Sequence, residues 1–181
     1  MNELENLFQS YKKEAFRLEI LPFYKVDGEW KDFQHYLKTG ELVQDQEFLN
    51  YLVQTKIRID AGANYIRCRV VENPINDYQV FETQLGYIPY AGLGAELYFI
   101  ERAVYNDLLS SHKQYQLITD FWLFDEKQVA FMNYNSENEW QGFEIGNEHD
   151  VAICKEFKSL LIANSYSLED LLHKEKARFN R

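Results

Sequence analysis

Cysteine, proline and basic charge are scarce in this sequence, and each scarcity excludes something. The two cysteines, Cys68 and Cys154, lie far apart, one in a strand-like run and one in a helical run, so buried reduced thiols are expected rather than a disulfide. Neither forms a CxxC pair. His35, His112, His149 and His173 are scattered without a second ligand at zinc spacing, so no metal site and no cofactor is expected. With three prolines and eight glycines in 181 residues there is no linker, repeat or low-complexity tract. The whole chain, 1–181, therefore reads as one domain.

No apolar run approaches the roughly 18 residues of a membrane span, and Glu3 and Glu5 stand where a signal peptide would be basic. A soluble cytoplasmic protein that does not engage a membrane is expected. Catalytic signatures are missing too. There is no phosphate-binding loop, no paired nucleophile and base, and no HxK at any histidine. Lys and Arg number 19 against 29 Asp and Glu, a net charge of −10 that opposes broad nucleic-acid binding and favours a basic partner. Dispersed acids also serve simple solubility, and no block of like charge points elsewhere.

What is present is a strong alternation of strand and helix patterns. Residues 15–21 alternate, with Phe16, Leu18 and Ile20 on one face and Arg17 and Glu19 on the other; residues 65–71 repeat the pattern with Ile66, Cys68 and Val70 against Arg67 and Arg69. Helices are expected over 3–13, around Trp30, Phe33 and Leu37 after an Asp27-Gly28 turn, and over 44–61 with Phe48, Leu49, Leu52 and Val53 facing inward. A helix over 77–87 places Tyr78, Phe81 and Leu85 on one stripe with Glu82 a turn after Tyr78. After a glycine-bearing loop at 91–94 come a strand over 96–102, a partly helical segment at 106–116 and a meander at 120–125, 129–134 and 140–145. DFWLFD, apolar on both faces, reads as a central strand. Helices at 151–163 and from a Ser167/Asp170 capping box to Phe179 close the chain. The expected fold is α+β, with one mixed, partly antiparallel sheet and helices packed against it.

The candidate site is the polar face of the two strands. Arg17, Glu19, Arg67, Arg69 and Glu82 are expected to meet there, with Tyr78 and Glu96 as further contacts. Charges gathered under a helix must pair or bind something. Two readings stay open. One is an Arg–Glu network that neutralises itself and orients the helix. The other is a pocket in which Arg17, Arg67 and Arg69 hold a phosphate or carboxylate while Glu82 or Glu19 acts as general base.

The ordered motifs FRLE (16–19), RCRVVENPINDYQVFE (67–82), AGLGAE (91–96), DFWLFD (120–125) and QGFE (141–144) resemble those of a bacterial domain-of-unknown-function family, best represented in actinobacteria and often encoded beside helix-turn-helix regulators. The resemblance implies a fold and no chemistry. In acidity and size the chain is also similar, as a class, to anti-CRISPR inhibitors of type II RNA-guided effector nucleases. The expected function is accordingly a mobile-element-encoded inhibitor of such an effector. It would dock on a basic nucleic-acid-binding protein or ribonucleoprotein, with RNA contact through the effector. Damage to the guide RNA is its enzymatic variant; metal-independent cleavage suffices because the RNA 2′-hydroxyl is an internal nucleophile. The alternatives are a regulatory partner of a helix-turn-helix factor and a nucleotide- or RNA-processing enzyme using the Arg/Glu face.

Overall fold

Period-two alternation in three short runs builds the centre of the molecule. The computed structural model describes residues 2–26 and 28–180. In it β1 (Glu14–Glu19), β2 (Asn64–Val71) and β3 (Glu96–Glu101) are parallel neighbours. The strand β4 (Phe121–Phe124) runs antiparallel to β1, followed by a meander through β5 (Gln128–Tyr134) and β6 (Trp140–Ile145). A two-residue strand, β7 (Tyr166–Ser167), pairs antiparallel with the far edge of β3. The result is one mixed seven-stranded sheet in the order β6-β5-β4-β1-β2-β3-β7, in an α+β fold.

Both crossovers of the parallel strands lie on one face. The first contains α2 (Glu29–Thr39) and α3 (Gln46–Asp60); α1 (Glu3–Ser10) precedes β1 and packs on the same side through Leu7 and Phe8. The second runs as α4 (Asp77–Glu82), a π-helical turn (Thr83–Tyr87) and α5 (Ile88–Gly92). On the opposite face, Phe16, Leu18, Cys68, Val70, Ile100 and Leu123 form a wholly apolar layer. It is closed by α6 (Arg102–Ser111) and α7 (Glu148–Ala163), the latter through Cys154, Phe157 and Leu161. Both cysteines are buried and unpaired. The chain ends in α8 (Leu168–Lys174), opened by the Ser167/Asp170 capping box, and α9 (Lys176–Phe179).

DFWLFD is a buried central strand, and its last residue has a further task. Asp125 and Glu126 both take positive φ (52° and 54°) in the turn to β5. That turn aims the Asp125 carboxylate at the backbone N–H groups of Lys13 (2.7 Å) and Glu14 (2.9 Å), tying the start of β1 to β4. Beside it, Lys158 on α7 joins Glu126 (2.7 Å) and Glu14, a second tie between the turn and the start of β1.

Several expectations need correction. In α3, Phe48 and Leu52 face the core, but Leu49 and Val53 point outward with Ile57; Val53 is 56% and Ile57 54% exposed. The helix carries apolar residues on two stripes, and hydrophobicity alone cannot choose between them. The expected helix over 77–87 runs on to Gly92 through the π turn and takes up part of the expected loop. Pro89 has no N–H to close an α-helical turn on Leu85, while the Thr83 hydroxyl donates to the Gln79 carbonyl (2.7 Å), and the helix widens there. The first helix stops at Ser10, and α6 starts at Arg102, directly at the end of β3. Of the expected Asp27-Gly28 turn, Asp27 lies outside the described residues; Gly28 has φ 89°, a conformation open to glycine.

Candidate functional site

Parallel pairing sets Arg17 opposite Arg67, a like-charge pair, and Glu19 opposite Arg69, while Glu19 reaches Arg67 on the diagonal. Arg67 closes a two-pronged ion pair on Glu19, with Nε 3.0 Å from Oε2 and a second contact from Nη2 to Oε1. The Tyr87 hydroxyl, from the π turn, donates to the same Oε2 at 2.8 Å. Arg69, 1% exposed, puts Nε 2.8 Å from Glu82 Oε2 and Nη1 against the carbonyl of Leu21 at 2.5 Å.

Arg17, 4% exposed, turns the other way. Its Nη2 donates to Asp120 Oδ2 and to the Tyr134 hydroxyl, each at 3.2 Å. Asp120 also accepts the Ile20 N–H (3.0 Å) and the Tyr24 hydroxyl (2.5 Å). Aromatic faces line the guanidiniums: Arg67 lies 5.2 Å from the ring centres of both Tyr87 and Tyr90, Arg69 5.1 Å from Tyr24, and Arg17 5.6 Å from Trp122. Each of the three arginines thus has its own carboxylate, two-pronged at Arg67 and single at Arg17 and Arg69, whose Nη1 and Nη2 respectively are buried without a hydrogen-bond partner.

Five of the sequence-predicted residues meet here, and two do not. Tyr78 is buried between Phe33 and Phe81 and donates to Glu29, behind the site. Glu96 pairs in register with Ile66, so it falls on the opposite face of the sheet, exposed and bonded to Tyr98 (2.9 Å). Among the described residues no group of three or more His, Cys, Asp or Glu is arranged to hold a metal ion.

Above the network is a cavity of about 450 Å³ between the sheet, the N-terminal ends of α2 and α3, and the π turn. Arg17, Arg67, Tyr65 and Trp122 belong to its floor, and Glu82, Gly86, Tyr87 and Tyr90 to one wall. Glu29, Asp45 and Glu47 lie nearer solvent, and Tyr24, Phe48, Tyr51 and Tyr134 complete an aromatic enclosure. Among the described lining residues, two guanidiniums stand against five carboxylates.

The two carboxylates on which the sequence reading centred are driven apart. Burial works against the charge of Glu19, but Arg67 and then Arg17 more than offset it and hold the carboxyl down at about 2. Burial dominates at Glu82; Arg69 opposes it, Glu19 and Glu29 reinforce it, and the carboxyl is pushed up to about 7. Burial likewise raises Glu29, against the Tyr78 hydrogen bond, and raises Asp120, against Arg17. Environments that separate two acids in this way are how a site keeps one fixed anion and one exchangeable proton.

The family model described as Domain of unknown function (DUF6879) matches residues 2–173. The chain belongs to that family. No curated protein matches it. The match takes in every element that builds the cavity, so the Arg/Glu floor and its π-turn wall lie within the DUF6879 domain.

The sequence reading missed Asp120, Tyr24, Tyr134, Glu29 and the aromatic lining. Tyr65 and Trp122 carried a usable signal. Tyr65 sits two residues before Arg67, and Trp122 pairs in register with Arg17, so alternation places both on the polar face. Nothing local marks Asp120, which reaches Arg17 across 103 positions.

Proposed function

We propose that the cavity binds a flat, nitrogen-rich ring of the nucleobase or nucleoside class. The observation that carries this is an aromatic enclosure of about 450 Å³ in which carboxylates outnumber guanidiniums and each of Arg17, Arg67 and Arg69 is already paired with an acid. The volume falls within the roughly 300–1,000 Å³ typical of small-molecule sites. Tyrosine and tryptophan faces supply stacking surface, worth about 1–3 kcal/mol per base. The carboxylates accept ring N–H and exocyclic amino groups. Phosphate, by contrast, meets an excess of negative charge. Glu82 is the group placed to exchange a proton with the bound ring.

A thermal-shift series with the four ribonucleosides, their 5′-monophosphates and ribose tests the reading. At least one nucleoside raises the melting temperature, its monophosphate does so no more strongly, and ribose has no effect. Failure of every nucleoside at millimolar concentration contradicts it.

Inhibition of a type II effector nuclease is a separate proposal, supported by the net charge of −10 and the chain's size. Its guide-damaging variant gains support from a cavity able to hold a base. DNA cleavage and guide length, followed together with the effector present, test it.

A further inference from the structure

Resting on the nucleobase reading, we infer that the site takes two consecutive nucleotides of a single strand, the second base entering a separate cavity between α1, α3 and the start of β2. That cavity measures about 250 Å³ and shares Tyr51 and Tyr65 with the larger one. Its volume lies below the roughly 300–1,000 Å³ of a whole small-molecule site, which suits one part of a longer ligand. Phe8 on α1 and Tyr11 at its C-terminal cap add two further aromatic faces. Tyr51, on α3 and 39% exposed, belongs to the lining of both cavities, so a ligand that crosses it at the surface reaches both.

The two cavities differ in charge. Among its described lining residues the larger has five carboxylates against two guanidiniums, whereas the smaller has one of each, Glu5 and Arg58. Those two are not partners. Glu5 turns back to cap α1, its carboxylate accepting the Asn2 N–H at 2.9 Å. Arg58 lies over the Tyr11 ring at 5.4 Å and donates to the carbonyls of Gln9 and Tyr11 at the end of α1. Arg17, Arg67, Arg69, Arg102 and Arg178 each have a carboxylate within ion-pair distance; among the described arginines Arg58 alone has none. Neutral carbonyls hold its guanidinium and leave the charge uncompensated, so the single negative charge of a phosphodiester meets a cation on this side. A lone apolar ring would fill the smaller cavity without using Arg58. An anion alone would leave its aromatic faces uncovered. A nucleotide step uses both, with its first base among the carboxylates of the larger cavity.

Isothermal titration of the full chain tests this by comparing the nucleoside that most raises the melting temperature with its 3′-monophosphate and its homodinucleoside monophosphate. Because the ligand is varied, this comparison does not depend on a mutant folding. One further stacked base is worth at least about fivefold in affinity, so the dinucleoside monophosphate is expected to bind at least that much more tightly than either of the others. Gln54→Trp then places an indole in the smaller cavity from an exposed position that does not line the larger one. In that variant the gain is expected to vanish while nucleoside affinity stays within about twofold. Equal binding of nucleoside and dinucleoside monophosphate by the native chain overturns the inference and leaves the nucleobase reading standing. A 3′-monophosphate that matches the dinucleoside monophosphate overturns the second-base site, and a gain that survives Gln54→Trp overturns its location. No binding of any of the four nucleosides or their dinucleoside monophosphates removes both.

Discussion

Glu19 and Glu82 border the same cavity and lean in opposite directions: Glu19 is clamped by Arg67 and Tyr87 and held down at about 2, while Glu82, with Arg69 as its one cationic partner, is pushed up to about 7. The difference lies in solvation and neighbours. Glu19 has two guanidiniums beside it, whereas Glu82 is buried near two other acids.

For Glu82 the folded-state value lies above the unfolded one, so the folded chain binds the proton more tightly. The stability this group contributes is complete below about pH 4.5 and is lost as pH rises through about 7. Glu82→Gln removes that dependence. Its melting temperature relative to the native chain should therefore rise between pH 5 and pH 8, as read by parallel thermal melts. A constant difference across that range contradicts the raised carboxyl.

Glu19 has the opposite sign. Its depressed value contributes stability that is present above about pH 4.5 and is lost as pH falls towards 2. Glu19→Gln leaves Arg67 without its carboxylate in a buried setting, and chemical denaturation should show a loss of roughly 3–5 kcal/mol at pH 7. A loss below about 1 kcal/mol means that the pair is not structural.

Arg67→Lys keeps the charge but loses the two-pronged contact with Glu19 and the flat stacking between Tyr87 and Tyr90. The variant should lose roughly 1–3 kcal/mol of stability, as for charge-assisted hydrogen bonds. Because this guanidinium is a structural member of the floor, nucleoside affinity in the folded fraction should fall less than about threefold, within roughly 1 kcal/mol. Unchanged stability with abolished binding indicates direct ligand contact instead.

Trp122 packs against Phe8 at 4.8 Å, Phe124 at 5.9 Å and Tyr65 at 5.8 Å while forming part of the cavity floor. Trp122→Ala should cost roughly 3–5 kcal/mol through the void it leaves. An unchanged denaturation midpoint overturns the placement of DFWLFD in the core.

How much of this was legible follows from where each signal lives. The shared face of Arg17, Glu19, Arg67 and Arg69 is a period-two property, and parallel pairing of β1 with β2 converts it directly into adjacency. Glu96 fails by the same logic, since register with Ile66 sends it to the other side of the sheet. Leu49 and Val53 were misplaced because α3 is apolar on two stripes, and only packing decides which is covered. The π turn that brings Tyr87 to Glu19 has Pro89 as its one visible cause. Asp120, Tyr24 and Tyr134 reach Arg17 through strand order and loop path, which no local pattern encodes.

The most direct measurement follows the indole N–H resonances of Trp30, Trp122 and Trp140 in a ¹⁵N-labelled sample titrated with the nucleoside that most raises the melting temperature. Trp122 lies on the cavity floor, while Trp140 sits half-exposed on the edge strand β6. The Trp122 signal, assigned by its loss in Trp122→Phe, is predicted to move and saturate at one equivalent while that of Trp140 stays in place. Saturating ligand that shifts Trp140 and leaves Trp122 unmoved, or that shifts neither, contradicts a nucleobase site in this cavity.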